Sequence, residues 1–220
     1  MMKKYGTILF DLDGTLTDSA EGILACVRYA LREMGFDDPP QMMRFVGPPL
    51  FESFETFCGM THEQAVEAVR IYRVRYANKG LFENRPYEGV PEMLERLRAA
   101  GRRMAVATSK PEVFAVRILD KFGLSQYFET VGGAVIDGSD GERNEKREVI
   151  ETVLGRMGVT DRSEVLMIGD RMHDVIGARQ TGLDCMYALW GYGSAEEARE
   201  HRADFTAATP AECADMILGR

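Results

Sequence analysis

Apolar positions along the chain follow two different rhythms. From about residue 17 to 84 they recur at helical spacing: Ile23, Val27, Leu31 and Met34 form one stripe, and Ala65, Val69, Tyr72 and Tyr76 another. Asp18 with Glu21 predicts the start of the first of these helices, and Gly35 its end. "GPPLFESFETFCG" predicts a short helix entered through Pro48 and Pro49, and Thr61 with Gln64 a capping box for the next. No convincing strand is predicted in this block. From Pro86 onward short apolar runs alternate with helical stripes. Helices are predicted over Pro91–Ala100, Pro111–Phe122, Lys146–Met157 and Asp174–Gln180, and strands at "RMAVAT", "TVGGAVI", "EVLMIG" and "CMYAL". Ser194 with Glu197 and Thr209 with Glu212 predict capping boxes for the last two helices.

Such alternation implies an α/β fold, a parallel sheet flanked by helices in the Rossmann-like manner, with ligands bound outside the carboxyl ends of the strands. The all-helical block reads as a small domain inserted after the first strand. The expected division is a core of residues 1–16 and 85–220 and a cap of residues 17–84.

The first strand ends in an unusual way. In "ILFDLDGTLTDS" three apolar residues run directly into Asp11 and Asp13, followed by Gly14 and Thr15. A continuous apolar run suits a strand buried on both faces, and carboxylates do not belong there. Placed where the strand leaves the sheet, the two aspartates project to one side with α-carbons ~6.5 Å apart. Like charges that close require a cation or a shared proton. Three further strand exits carry polar residues: Thr108, Ser109 and Lys110 in "MAVATSK", Lys146 after "DGSDGERNE", and Asp170 and Asp174 in "VLMIGDRMHD".

Composition narrows the partners. A net charge of -8 over 220 residues, with no basic run, argues against nucleic-acid polymers. The apolar run before Asp11 is too short for a signal peptide or a membrane span, so a cytoplasmic protein without a membrane partner is expected. Cys26, Cys58, Cys185 and Cys213 are far apart and read as reduced, buried or partly buried thiols.

The strand-end inventory suits phosphoryl transfer through a carboxylate nucleophile. So many acidic oxygens can admit a phosphate dianion only if a hard cation offsets them; Mg2+ fits, and Mn2+ could substitute. Thr108 can donate to a phosphoryl oxygen, Lys146 can neutralise developing charge, and Asp13 can pass a proton to the leaving alkoxide and take one back from water.

"FDLDGTLTDS", "VATS", the lysine of "EKREVI" and "GDRMHD" resemble, in order and spacing, the four motifs of the haloacid dehalogenase-like hydrolases. "FVGPPL", "VATSKPE" and "MIGDRMHDVIGA" bring the likeness nearest to the phosphoglycolate phosphatase branch and its 5'-nucleotidase-like neighbours. The resemblance implies Asp11 as nucleophile, Asp13 as acid and base, Thr108 as phosphate ligand and Lys146 as the charge-neutralising lysine. It assigns the magnesium to Asp11, the Asp13 backbone carbonyl and Asp170, with Asp174 as a further acid of the metal site. Gly14, Thr15 and Ser109, with Gly47 and Pro48 of the cap, are expected to line the substrate. A small phosphorylated metabolite is the expected partner, and the chain is expected to be a monomer or weak homodimer.

Other readings compete residue by residue. A calcium loop beginning at Asp11 would need Gly and Glu where the chain has Leu16 and Gly22. Thr108 could cap the helix after Pro111, and Asp174 could be a plain N-cap. Arg143, Arg147 or Lys110 could take the place of Lys146. His173 beside the acids reads as polar surface. Among functions, a dehalogenase would not need Asp13, and a phosphonate hydrolase would need a lysine that 41–58 lacks. A phosphosugar mutase would want a basic residue where Pro48, Pro49 and Leu50 follow Gly47. A receiver-like phospho-acceptor would carry its aspartate on a middle strand and would hold one phosphate without turnover.

Overall fold

The computed structural model describes residues 3–48, 50–135 and 145–220. Pro49, Arg143 and most of the "DGSDGERNEK" loop lie outside the described residues. In chain order the elements are β1 (Thr7–Phe10), β2 (Thr17–Asp18), α1 (Ala20–Glu33), α2 (Leu50–Cys58), α3 (His62–Asn78) and β3 (Arg85–Pro86). They continue with α4 (Val90–Ala99), β4 (Arg103–Pro111), α5 (Glu112–Lys121), β5 (Val131–Ala134), α6 (Lys146–Met157) and β6 (Val165–Gly169). The chain ends with α7 (Met172–Gln180), β7 (Asp184–Ala188), α8 (Ala195–Glu200), β8 (Phe205–Ala207) and α9 (Pro210–Leu218). Two compact units result: one holds residues up to Thr17, Pro86–Val135 and the chain from α6 onward, the other Asp18–Arg85.

The first unit is built on a six-stranded parallel sheet in the order β5-β4-β1-β6-β7-β8. β1 lies in its interior, where an unbroken apolar run pays off because both faces are covered. Leu9, Ala105, Ala107, Val165, Met167, Cys185 and Tyr187 share one buried cluster with Val149, Ile150, Val153 and Leu154 of α6 and Val175 and Ala178 of α7. The alternate residues Ile8, Phe10, Met104, Val106, Leu166 and Ile168 are equally buried. Such two-sided burial allows the strand ends, and little else, to carry polar side chains.

The second unit is helical. α1 packs on α3, and α2 on α3. α1 comes close to the segment after α3 at Gly22, where a β-carbon would lie 2.1 Å from the Gly80 carbonyl oxygen. The α3 capping box forms as the sequence predicts, with Gln64 N donating to Thr61 Oγ1 at 3.3 Å and Thr61 N to Gln64 Oε1 at 2.9 Å. Arg75 grips Glu83 with both terminal nitrogens and reaches Cys26 Sγ at 3.1 Å. Among the described residues no helix is long and apolar enough to cross a membrane.

Several boundaries differ from the sequence expectation. Asp18 belongs to the two-residue strand β2, paired with β3, and Ser19 takes the N-cap position of α1. The Asp18 carboxylate still accepts from Ala20 N, the first residue of α1, through Oδ1 at 3.4 Å, while its Oδ2 pairs with Arg85 at 2.9 Å, an ion pair that a local capping pattern cannot reveal. β4 runs on through Ser109 and Lys110 to Pro111, with a register shift against β5. The sequence pattern does not predict β8; its three residues alternate too briefly to stand out from a loop, and pairing with β7 makes them a strand. All four cysteines are free thiols, three buried and Cys58 half-buried, as expected.

Leu9→Ala would leave a cavity in the fully buried centre of the sheet, and such truncations cost about 2–5 kcal/mol. Urea unfolding of the two proteins should give a free-energy difference of that size, read as a lowered midpoint at an unchanged slope.

Candidate active site

The register of the sheet brings the strand exits together. Phe10 pairs with Val106 on one side and with Ile168 on the other. Asp11, Thr108 and Asp170 therefore follow the same row of the sheet by one or two residues. Asp11 N still donates to Ile168 O at 2.8 Å, so the nucleophile candidate is fixed by the last bond of the ladder. β1 also marks the place where the strand order turns from β4 and β5 on one side to β6 and β7 on the other, where open α/β sheets form their ligand crevice.

Lys146, the first residue of α6, reaches into this row. Its Nζ lies 2.7 Å from Asp11 Oδ1, 2.7 Å from Asp174 Oδ1 and 2.9 Å from the Ala107 carbonyl. The stem of Lys146 passes so close to α7 that a β-carbon on Gly177 would meet it at 2.6 Å. Of the competing basic residues, Lys146 alone among those described grips the Asp11 carboxylate. Lys110 instead forms an ion pair with Asp13 Oδ2, and its side chain is nearly buried. The sequence placed Lys110 in the right neighbourhood; its partnership with Asp13 needed the outward course of β4.

Asp170 is fully buried and doubly held. Thr15 Oγ1 donates to its Oδ1 at 3.1 Å and Tyr192 N to its Oδ2 at 2.8 Å. Gly14 is glycine for two reasons at this point: its φ is 85°, and a β-carbon would lie 2.1 Å from Asp170 Oδ2. Gly191 allows a similar approach, with a β-carbon there 2.3 Å from the Gly14 carbonyl. Trp190 Nε1 donates to the Thr15 carbonyl at 2.9 Å. The loop after β7, to which local spacing assigns no role, thus lies against Asp170; its small "GYG" stretch is the available signal.

Asp174 combines two jobs that the sequence offered as alternatives. It is the third residue of α7, its Oδ2 accepting from Arg171 N at 3.1 Å in a capping arrangement while Oδ1 faces Lys146. Thr108 is buried, and Lys110 N donates to its hydroxyl oxygen at 3.2 Å, leaving the hydroxyl hydrogen available to a ligand. Ser109 and His173 are exposed at residue level. Gly47 and Pro48 belong to the helical unit, where Gly47 is exposed with a φ of 108°. Thr15, expected beside substrate, spends its hydroxyl on Asp170.

Carboxylate oxygens of Asp11, Asp170 and Asp174 all lie within 4.8 Å of one another. Burial raises the Asp11 carboxyl to about 6, with Asp174 adding to the rise and the Lys146 charge opposing it. Burial, then repulsion by Asp174 and Asp11, pushes Asp170 well above the carboxylate range. Burial works against the Lys146 ammonium, yet the two facing carboxylates outweigh it and hold it above its usual range. Three buried carboxylates against one ammonium leave a deficit of positive charge. Hard oxygen donors so grouped fit a divalent cation such as Mg2+. Asp13 Oδ1 is a buried acceptor with no hydrogen-bond partner among the described residues.

Comparison with known proteins agrees with this geometry. The family model described as "Haloacid dehalogenase-like hydrolase" matches residues 8–188. A 5'-nucleotidase of Pseudomonas aeruginosa is 43% identical over 90% of this chain and 89% of its own. The tyrosine-protein kinase PtkA of Mycobacterium tuberculosis is 42% identical over 86% of this chain, which spans 64% of the kinase's length. Its solved structure superposes with a TM-score of 0.83, covering 98% of this chain and 99% of that one at 38% identity. A phosphoglycolate phosphatase of Aquifex aeolicus is 28% identical over 96% of this chain and 95% of its own. The chain therefore belongs to the haloacid dehalogenase-like hydrolase family, as an enzyme of its phosphatase group.

The raised Asp11 carboxyl gives a pH signature without metal. The folded protein keeps a proton on Asp11 up to about pH 6, whereas the unfolded chain releases it near 3.8. Asp11 therefore lowers stability progressively as pH rises through that window. With chelator present, the stability of Asp11→Asn relative to the wild type should increase from about pH 4 to about pH 6. Urea melts of both proteins across that range check it, and a difference independent of pH would contradict the assignment.

Proposed function

We propose that this enzyme is a cytoplasmic, Mg2+-dependent phosphatase of small-molecule phosphate monoesters working through an aspartyl-phosphate on Asp11. The observation that carries the reading is the grip of one buried ammonium, Lys146, on two of three clustered buried carboxylates at the strand ends. Asp11, Asp170 and Asp174, with the Asp13 backbone carbonyl, would hold the cation. Bound there, Mg2+ supplies positive charge against the phosphate oxygens and the acidic cluster.

In the first half-reaction an Asp11 oxygen forms a bond to phosphorus as the ester P–O bond breaks. Lys146 orients Asp11 and offsets the charge of the incoming group. Thr108 donates its hydroxyl hydrogen to a phosphoryl oxygen. Asp13 gives a proton to the leaving alkoxide through Oδ1, the oxygen that Lys110 leaves unengaged. In the second half-reaction Asp13 takes a proton from water, the water oxygen bonds to phosphorus, and the P–O bond to Asp11 breaks. Inorganic phosphate and unmodified Asp11 result.

Nucleoside 5'-monophosphates come first among substrates, on the 43% identity to a 5'-nucleotidase, with phosphoglycolate next on the more distant phosphatase relative. The kinase relative gives a reason to test the acceptor directly. The same aspartate, threonine and lysine can handle a phosphoryl group whether water or a tyrosine receives it. Water releases phosphate with turnover, a tyrosine retains it, and a receiver-like acceptor stops at one phosphate per chain.

Phosphate release should be assayed over 5'-mononucleotides, phosphoglycolate, sugar phosphates and an aryl phosphate, with Mg2+ or chelator. Turnover should require the metal and vanish in Asp11→Asn, and Asp13→Asn should lose about 10²–10⁴ in rate on alkyl esters. Absence of turnover on every substrate with folded, Mg2+-supplemented protein would refute the phosphatase reading.

A further inference from the structure

Ser194 and Glu197 have the spacing of a capping box, yet only half of the box forms. Glu197 N donates to Ser194 Oγ at 3.2 Å, but the Glu197 carboxylate turns away from the start of α8. One of its oxygens, Oε1, instead accepts three hydrogen bonds from elsewhere in the same unit. Met172 N donates at 2.6 Å, Tyr187 Oη at 3.0 Å and Arg171 Nε at 3.2 Å. In α3, by contrast, the residue at the same position closes its box. Glu197 has thus given up a local cap for a bond to the first residue of α7, where a carboxylate also complements the helix dipole.

The residues it grips are those between the two acids. Arg171 and Met172 connect Asp170 at the end of β6 to Asp174 in the first turn of α7. Arg171 N donates to Asp174 Oδ2 in the same turn. Tyr187, the third donor, lies beside Gly193, where a β-carbon would stand 1.8 Å from its hydroxyl oxygen and 2.2 Å from the Asp170 carbonyl. Gly193 in turn follows Tyr192, whose N–H holds Asp170 Oδ2. A single oxygen of half-buried Glu197 on α8 therefore joins the Asp170–Asp174 turn to Tyr187 of β7, which lies against the loop over Asp170.

We infer that Glu197 is a positioning residue for the cation site: it fixes the spacing of Asp170 and Asp174 without touching metal or substrate. The inference rests on the cation reading of Asp11, Asp170 and Asp174. Groups that orient ligating carboxylates from behind typically change metal affinity about 10- to 100-fold when removed.

The test is direct Mn2+ binding to the full chain by electron paramagnetic resonance, in the absence of substrate, with thermal melting followed in parallel. Glu197→Ala should weaken Mn2+ binding by about 10- to 100-fold at temperatures where the protein is fully folded. Glu196→Ala on the same helix, where exposed Glu196 pairs with exposed Arg199 and makes no bond to the Asp170–Asp174 turn, should bind as the wild type does. If Glu197→Ala does not fold, Glu197→Gln keeps the size and loses the charge, and it should still weaken binding several-fold. A lowered melting temperature with Mn2+ affinity within about twofold of wild type would make Glu197 a structural residue only and overturn the inference. Wild-type protein that binds no Mn2+, or Asp170→Asn that binds it as well as wild type does, would overturn the cation reading itself and this inference with it.

Discussion

Everything at the crevice depends on one constraint: three carboxylates are held together in a place where water does not reach them freely. Like charges within 4.8 Å, buried, are costly unless something positive compensates. Lys146 is the compensation that the chain provides for itself, and it is incomplete by design of number, one ammonium against three acids. The incompleteness is what makes the site chemically useful. In the proposed mechanism the uncompensated charge calls for a cation, and the ammonium offsets charge that would otherwise repel an incoming phosphate.

The surrounding fold can be understood as support for that arrangement. β1 is buried on both faces so that its last ladder bond, from Asp11 N to Ile168 O, fixes the nucleophile candidate without help from solvent. α6 presents Lys146 from its first residue, with its stem pressed against Gly177 of α7. Gly14 and Gly191 let backbone come close enough to surround Asp170, where any side chain would collide with it. Each device lowers the freedom of a charged group before a substrate arrives, and preorganisation of this kind is where an enzyme obtains electrostatic stabilisation at no cost in reorganisation.

The two lysines divide the work between the two aspartates of the first motif. Lys146 belongs to Asp11, and Lys110 to Asp13. Two aspartates separated by a single residue thus have different electrostatic surroundings, because they leave the strand toward different neighbours. Asp11 is fixed within the acidic cluster, and Asp13 faces an ammonium with one oxygen while the other is buried without a hydrogen-bond partner among the described residues. In the proposed mechanism such a difference is what separates a nucleophile from a proton carrier.

How much of this could be read beforehand follows from the range of the interactions. The alternation of helix and strand, the ends of α6 at Lys146 and Met157, and the capping box of α3 are set by neighbours within a few residues, and the sequence determined them by itself. So did the strand-end chemistry, since acids directly after a buried apolar run can stand only where the strand leaves the sheet. Tertiary structure alone decided the pairings. It added Arg85 to the second carboxylate oxygen of Asp18, sent the Glu197 carboxylate from its own helix to the Asp170–Asp174 turn, gave Lys110 to Asp13, and made a strand of Phe205–Ala207. These contacts join residues from 25 to 97 positions apart, or a strand to its neighbour, and local spacing carries no information about them. A side chain's first choice of partner is local, but burial beside an unpaired donor or charge outweighs a cap worth about 1 kcal/mol.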